Sequence, residues 1–268
     1  SVASPVKAMC LNIAHDCNLR CTNCFASTCD FGKGRKLMSF ETGKHAIDFL
    51  LENSGDRPNL ELDFFGGEPL MNFEVVKQIV KYARSREEEY NKKFRFTITT
   101  NGLLLDDDKI DFINREMSNV VLSIDGRKEV NDKMRPFRKG AGSYDIIVPK
   151  FQKFAESRNQ MNYYVRGTFT RNNLDFSNDV IHFADLGFKQ MSIEPVVAAP
   201  EEPYSIREED VPQSLEEYDK LAVEYIKRKK EGRGFNFFHF MLDLQQGPCV
   251  AKRLSGCGSG TEYLAVTP

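Results

Sequence analysis

Three cysteines, Cys17, Cys21 and Cys24, stand in the run CNLRCTNC with the spacing CxxxCxxC. Three thiolates on one short loop can hold three corners of a four-iron cluster, whose full complement is four cysteines. A site with three leaves one iron able to bind an outside ligand. Two other readings of the same residues stay open. Three cysteines and a histidine such as His15 could close a structural zinc site, or all three could be structural thiols without metal. Cys10 sits within an apolar run and reads as a small buried residue. Cys29 reads as an exposed thiol or a bystander. Neither is assigned to the cluster.

Further candidates follow in chain order. Gly66, Gly67 and Glu68 lie in FFGGEPL. Paired glycines let a ligand approach the backbone closely, and a carboxylate can pair with an ammonium. Alone, the same three residues would make a tight turn. TTNG, with Asn101, and SIDG, with Ser123 and Asp125, each place Asn or Asp before Gly, which is turn chemistry in its own right. Arg135, Arg166 in VRGTFT and Glu194 in IEPV add charge. Cys249 and Cys257 fall in a glycine-rich tail.

Something must bring these residues together. Apolar, β-branched and aromatic runs recur at 6–14, 60–65, 94–99, 119–124, 163–169 and 190–196, with segments of helical period between them. Ser39 can cap a helix carrying Ile47, Leu50 and Leu51, and Asn72 one carrying Val76, Ile79, Val80 and Ala83. Asp106 and Ser143 precede two more. Pro149 should delay or kink the start of the second of these. Gly187 fits the position just past a helix end. Strand and helix thus alternate about six times, which reads as βα units on a parallel sheet. Such sheets bind ligands at the carboxyl ends of their strands. The cysteine loop, GGE, TTNG, SIDG and IEPV all follow or close successive strands.

After residue 200 the pattern changes. Three prolines punctuate an acidic linker, and Ser214 with Glu217 reads as a capping box opening a helix to about Lys230. Its expected apolar face is Leu215, Tyr218, Leu221, Ala222, Tyr225 and Ile226. The stretch FNFFHFMLDL follows.

Composition excludes several classes. The 268 residues carry a net charge of −2, against a nucleic-acid binder held by counterion release. No run of about 18 apolar residues could span a membrane, and no signal peptide is visible. Seven cysteines, five of them within twenty residues, fit a reducing, cytoplasmic setting and a metal or cluster role better than disulfides. Both ends read as cut, as in a fragment of a longer protein.

The cysteine loop resembles that of the radical S-adenosylmethionine superfamily, and the other motifs agree in order and place. The resemblance implies an α/β fold, a partial (β/α)6 barrel, with a 4Fe-4S cluster and S-adenosylmethionine as cofactors. It implies that Gly66, Gly67 and Glu68 receive the methionine amino group. Ser123, Asp125 and Asn101 would line the ribose and methionine pocket, and Arg135 would meet the cofactor carboxylate by bidentate pairing. Arg166 is a rival for that role, and Glu194 a further pocket candidate. One departure concerns adenine packing. Many relatives carry an aromatic residue just before the third cysteine, where this chain has Asn23, with Phe25 after it.

The tail GCGSGTEYLAVTP looks like the opening of a SPASM extension, which implies auxiliary 4Fe-4S ligands at Cys257 and, more weakly, Cys249. The expected division is a core at 1–200, a helical linker at 201–247 and the start of the extension at 248–268. LNIAHDCNLRC, DFFGGEPLMNFEVV, YYVRGTFT, DLGFKQMSIEPVVAA and FNFFHFM are similar to the maturases of SCIFF peptides. That resemblance implies reductive cleavage of S-adenosylmethionine to a 5′-deoxyadenosyl radical and thioether cross-linking of a Cys-rich, ribosomally made precursor peptide. An electron donor such as ferredoxin or flavodoxin is implied as partner. The rivals are an anaerobic sulfatase-maturating enzyme, a core that binds cofactor without turnover, and a zinc-stabilised binding module.

Overall fold

The computed structural model describes residues 5–24, 26, 34–241 and 258–268. Each of the six apolar runs forms a strand: β1 (Ala8–Ala14), β2 (Asn59–Gly66), β3 (Lys93–Thr100), β4 (Met117–Ser123), β5 (Tyr163–Phe169) and β6 (Gln190–Pro195). Two short strands, β7 (Asn236–Phe237) and β8 (Tyr263–Val266), lie at the edges. The order is β7-β6-β5-β4-β3-β2-β1-β8 and every pairing is parallel. The two edges do not meet, so the sheet is an open partial barrel, as expected. The helices are α1 (Phe40–Asn53), α2 (Phe73–Tyr90), α3 (Asp107–Glu116), α4 (Lys128–Met134), α5 (Tyr144–Ser157), α6 (Phe176–Asp185) and α7 (Val211–Lys230).

Side-chain alternation gives the sheet two unlike faces. Leu60, Leu62 and Phe64 of β2, and Phe94, Phe96 and Ile98 of β3, are buried in the main core with the helices. The intervening residues point the other way. Parallel register sets them in rows: Glu61 beside Arg95, Asp63 beside Thr97, Ser123 beside Arg166, and Thr168 beside Glu194. The open side of the barrel is therefore a polar trough. Cys10 belongs to it, close to Asp63 and Tyr263, rather than to the apolar core. Burial pushes its thiol up to about 11. Tyr263 donates to Asp63 at 2.8 Å and so ties β8 to the trough.

The helix starts follow local chemistry with three differences. Ser39 accepts from Thr42 N at 3.1 Å and Asp106 from Lys109 N at 2.9 Å, as caps do. Asn72 precedes α2 but does not cap it. Its amide donates to the carbonyls of Ile13 and Met38, at 3.0 and 2.9 Å, and joins β1 to the segment before α1. Pro149 does not delay α5, which begins at Tyr144 and carries the proline inside it. The helix after the linker opens at Val211 with Pro212 in its first turn, so Ser214 and Glu217 lie within it. Ser214 donates back to the Asp210 carbonyl and Glu217 accepts from Ser177. The buried stripe of α7 is narrower than expected, because Leu215 and Ile226 are 61% and 53% exposed.

Among the described residues beyond 200, two short strands join the same sheet. α7 packs on α6, with Tyr218 and Phe176 rings 4.8 Å apart, while β7 and β8 extend the two edges. Among the described residues no helix is long and apolar enough to cross a membrane.

Candidate active site

Cys17, Cys21 and Cys24 stand on the loop that leaves the carboxyl end of β1. The glycines of β2 shape its root. A Cβ at Gly67 would lie 2.0 Å from the Asp16 carbonyl oxygen, and one at Gly66 2.6 Å from that of Ala14. The close approach that the glycines permit is thus that of the loop's own backbone. Gly67 N donates to Ala14 O at 2.6 Å and Glu68 N to Asp16 O at 2.9 Å.

The far side of the loop is held by residues the motif reading missed. Arg20 N donates to Pro136 O and Thr22 N to Met134 O, both at 2.8 Å, and Leu19 bridges Phe137 in antiparallel fashion. Arg138 donates to the Asp16 carboxylate and to the Cys17 carbonyl, at 2.9 and 3.1 Å. The only trace of this wall in the sequence is the alternation of basic and apolar residues in KMRPFR.

A cavity of about 340 Å³ opens at these strand ends. Cys17, Cys21 and Cys24 line it together with Gly66, Gly67, Glu68, Asn101, Ser123, Arg135 and Arg166. Asn23 also lines it. Phe25, Cys29, Cys249 and Cys257 lie outside the described residues.

Glu68 is 1% exposed. Its carboxylate accepts from Leu70 N (3.0 Å), Thr100 Oγ1 (2.7 Å) and Asn101 N (2.8 Å), which locks the end of β2 to the end of β3. Burial raises its pKa, the three donors and Arg135 pull it back, and it settles at about 7. Cys21 is pushed up to about 12 by burial, with the Arg135 guanidinium opposing. Ligation requires the thiolate, so metal binding at this loop releases protons.

Two expected pocket residues lie elsewhere. Asp125 is fully buried behind the cavity wall, where Oδ1 accepts from Thr168 N at 3.0 Å and Oδ2 lies 3.0 Å from Arg135 Nε. It braces the arginine rather than facing the cavity. The pair is close in distance but off-line for a hydrogen bond. Glu194 sits one strand beyond the cavity, in register with Thr168. It accepts from Ser192 Oγ (2.5 Å) and pairs with His239 Nε2 (2.8 Å), whose Nδ1 meets the Tyr218 hydroxyl at 2.8 Å. Burial alone would raise Glu194. The bonds from Ser192 and His239 outweigh it and hold the carboxyl below its ordinary value. His239, within the aromatic stretch, carried no spacing signal.

The donor set suits a cluster and its cofactor. Among the described residues no three His, Cys, Asp or Glu side chains are gathered so as to hold a single metal ion. A four-iron cluster takes one thiolate per corner, and one loop offers three. The same cavity presents a buried carboxylate, a hydroxyl and two guanidiniums, the groups an amino-acid moiety needs.

A family model described as a 4Fe-4S single cluster domain matches residues 7–149. The chain is 24% identical over 191 residues to the radical SAM cyclopropyl synthase TigE of Paramaledivibacter caminithermalis, covering 67% of this chain and 39% of that protein. It is 25% identical over 244 residues to a cysteine-type anaerobic sulfatase-maturating enzyme of Clostridium novyi, covering 87% of this chain and 63% of that protein. The solved structure of native anSMEcpe with bound AdoMet and Kp18Cys peptide superposes with a TM-score of 0.75 at 20% identity, covering 88% of this chain and 64% of that one. The chain therefore spans less than two thirds of the length of each of these relatives. The shared fold is the open partial barrel of radical S-adenosylmethionine enzymes.

Proposed function

Because the chain belongs to the 4Fe-4S single cluster domain family, we propose that it is a radical S-adenosylmethionine enzyme that modifies a peptide, closing Cys thioether cross-links in a ribosomally made precursor. One observation carries the reading. Three cysteines of one loop share a cavity with a buried carboxylate, a serine hydroxyl and two arginines, at the mouth of a polar trough. A bound cluster and S-adenosylmethionine would supply one-electron radical chemistry for hydrogen-atom removal from a substrate carbon.

The chain's own residues do the rest. Cys17, Cys21 and Cys24 would hold the cluster. Glu68 would meet the cofactor amino group with its carboxylate, and Ser123 with its register partner Arg166 would receive the cofactor carboxylate. Leu19, fully buried, helps keep water from the loop. The open side of the sheet admits an extended chain, which a closed barrel would not. A one-electron donor such as ferredoxin or flavodoxin, and auxiliary 4Fe-4S ligands at Cys249 and Cys257, complete the proposal. So does the division into a core at 1–200, a linker at 201–247 and an extension from 248.

The test is anaerobic reconstitution with iron and sulfide, then dithionite-driven formation of 5′-deoxyadenosine, beside Cys21→Ala. Product in the parent and none in the variant is expected. Zinc uptake without iron sinks the reading. Iron uptake without product makes this chain a core that binds cofactor without turnover. A second reading, sulfatase maturation, is favoured by the match to the Clostridium novyi enzyme along 87% of the chain. With a Cys-bearing peptide, both reactions are two-electron oxidations that consume a free thiol, but thioether closure keeps the sulfur, whereas sulfatase maturation releases it as sulfide and takes an oxygen from water. Only sulfatase maturation leaves a carbonyl that a hydrazide captures.

A further inference from the structure

The motifs TTNG and SIDG, and the arginine downstream of them, were expected to touch the cofactor. The hydrogen bonds of the cavity wall favour a different task for two of their residues. Asn101, 6% exposed, has its side-chain groups engaged within the protein. Oδ1 accepts from Leu103 N at 3.1 Å. Nδ2 donates to Asn18 Oδ1 at 2.8 Å and to the Cys17 sulfur at 3.5 Å. Leu19 N donates to the same sulfur at 3.4 Å.

Arg135 is fixed as firmly. Its backbone N donates to Asn131 O at 2.7 Å, and its carbonyl accepts from Ser143 Oγ at 2.8 Å. Ser143 in turn accepts from Asn131 Nδ2 at 3.1 Å. The guanidinium Nε faces Asp125, and Nη1 points at the Cys21 sulfur at 3.9 Å. The Arg166 side chain, by contrast, lines the cavity without a hydrogen bond or close ion pair among the described residues, its charge acting only at longer range on Glu194. One arginine is committed to a carboxylate and a sulfur, and the other is open to an incoming anion.

The geometry points to Asn101 and Arg135 as residues that set the cluster's reduction potential by donating to the sulfurs of Cys17 and Cys21, with Asp125 as the positioning residue for Arg135, and to Arg166 as the arginine for the cofactor carboxylate. This rests on the reading of the three cysteines as cluster ligands. The physical cause is charge. Reduction adds an electron to the cluster, and donors or a cation at its sulfurs stabilise that added charge, which raises the potential. Asn101 and Arg135 reach the two sulfurs from the ends of β3 and α4, so the two contributions are separable.

The experiment is a potentiometric titration of the reconstituted full chain, without cofactor and followed by the EPR signal of the reduced cluster, paired with the dissociation constant for S-adenosylmethionine. Arg135→Met should lower the ratio of reduced to oxidised cluster at a fixed poise at least tenfold, about 59 mV for one electron. It should change cofactor affinity less than twofold. Asn101→Ala should shift the potential in the same direction by less, and Arg135→Lys should restore most of the loss. Arg166→Met should weaken cofactor binding at least tenfold and leave the potential unmoved. If Arg135→Met loads iron fully and keeps the parent potential, or loses affinity as Arg166→Met does, the assignment of Arg135 is wrong. Should Arg135→Met not fold, Arg135→Gln, which keeps N–H donors without the charge, must show the lower potential. An unmoved potential in Asn101→Ala removes Asn101 from the assignment. A parent that takes up no iron overturns the cluster reading itself, whereas a loaded parent with unmoved variants overturns only this inference.

Discussion

Replacing Gly67 by alanine tests how the cysteine loop is seated. The added methyl would stand 2.0 Å from the Asp16 carbonyl oxygen and 2.6 Å from its carbon, both backbone atoms that no rotamer change can move. Relief requires the root of the loop to shift, which breaks Gly67 N→Ala14 O and Glu68 N→Asp16 O. Overpacking costs about 1–3 kcal/mol and each lost backbone hydrogen bond about 1 kcal/mol, so the variant should lose roughly 3–5 kcal/mol. At about 2–4 °C per kcal/mol for a domain near this size, its melting point should fall by about 6–20 °C. Iron uptake should fall with it, because Cys17 follows Asp16 directly. The comparison is Gly140→Ala, where φ is +84° but no atom lies within 4 Å of the new carbon. That change should cost only the left-handed strain, about 1–2 kcal/mol, and leave iron uptake intact. The assay is thermal unfolding of the apo-protein with iron analysis after reconstitution. If Gly67→Ala takes up iron as the parent does and melts within about 2 °C of it, the loop is not held as argued.

Two further outcomes follow from named bonds. Glu68 keeps its proton to about pH 7 in the fold but loses it near 4.5 when unfolded, so its contribution to stability falls as pH rises between those values. Glu68→Gln should remove that slope, worth roughly 3 kcal/mol across the window, and equal slopes in urea titrations of parent and variant would refute it. Tyr263→Phe deletes the bond to Asp63 and should cost about 1.5–3 kcal/mol locally. Faster amide exchange along β8 and its partner β1 is the expected result, and unchanged exchange there would count against the tie.

The sheet was legible in the sequence because each of the six main strands is an apolar run, with burial alternating along β2, β3 and β5 and near-continuous in β1. The run 163–169 coincides with β5 and the other five differ from theirs by a few residues at the ends. Ser39 and Asp106 were legible as caps because their partners are three residues away. Asn72 and Ser143 were not, since their side chains serve distant partners that spacing cannot reveal. The same distinction runs through the site. The cysteines and GGE announce themselves by local pattern. Asp125 carries the right residue type at a strand end, yet its parity in the loop turns it behind the wall toward Arg135. Glu194 has a partner 45 residues on, in His239, and no local rule links them. The antiparallel wall around Phe137 was hidden for that reason too.

The pairing of β1 has a consequence for the order in which the molecule assembles. On one side β1 meets β2, the next strand in the chain, and on the other it meets β8. The bond that fastens β8 joins residues 200 apart in sequence. During synthesis from the amino end, the strand bearing the cysteine loop must remain a sheet edge until residues 263–266 have been made. Contacts of such long separation are slow to form, and unpaired edges invite association with other chains. The cysteine loop, by contrast, has its full seat once residues 134–138 exist. The cysteine seat can thus be complete while the sheet beside it is still open, which gives metal loading a head start over closure of the edge.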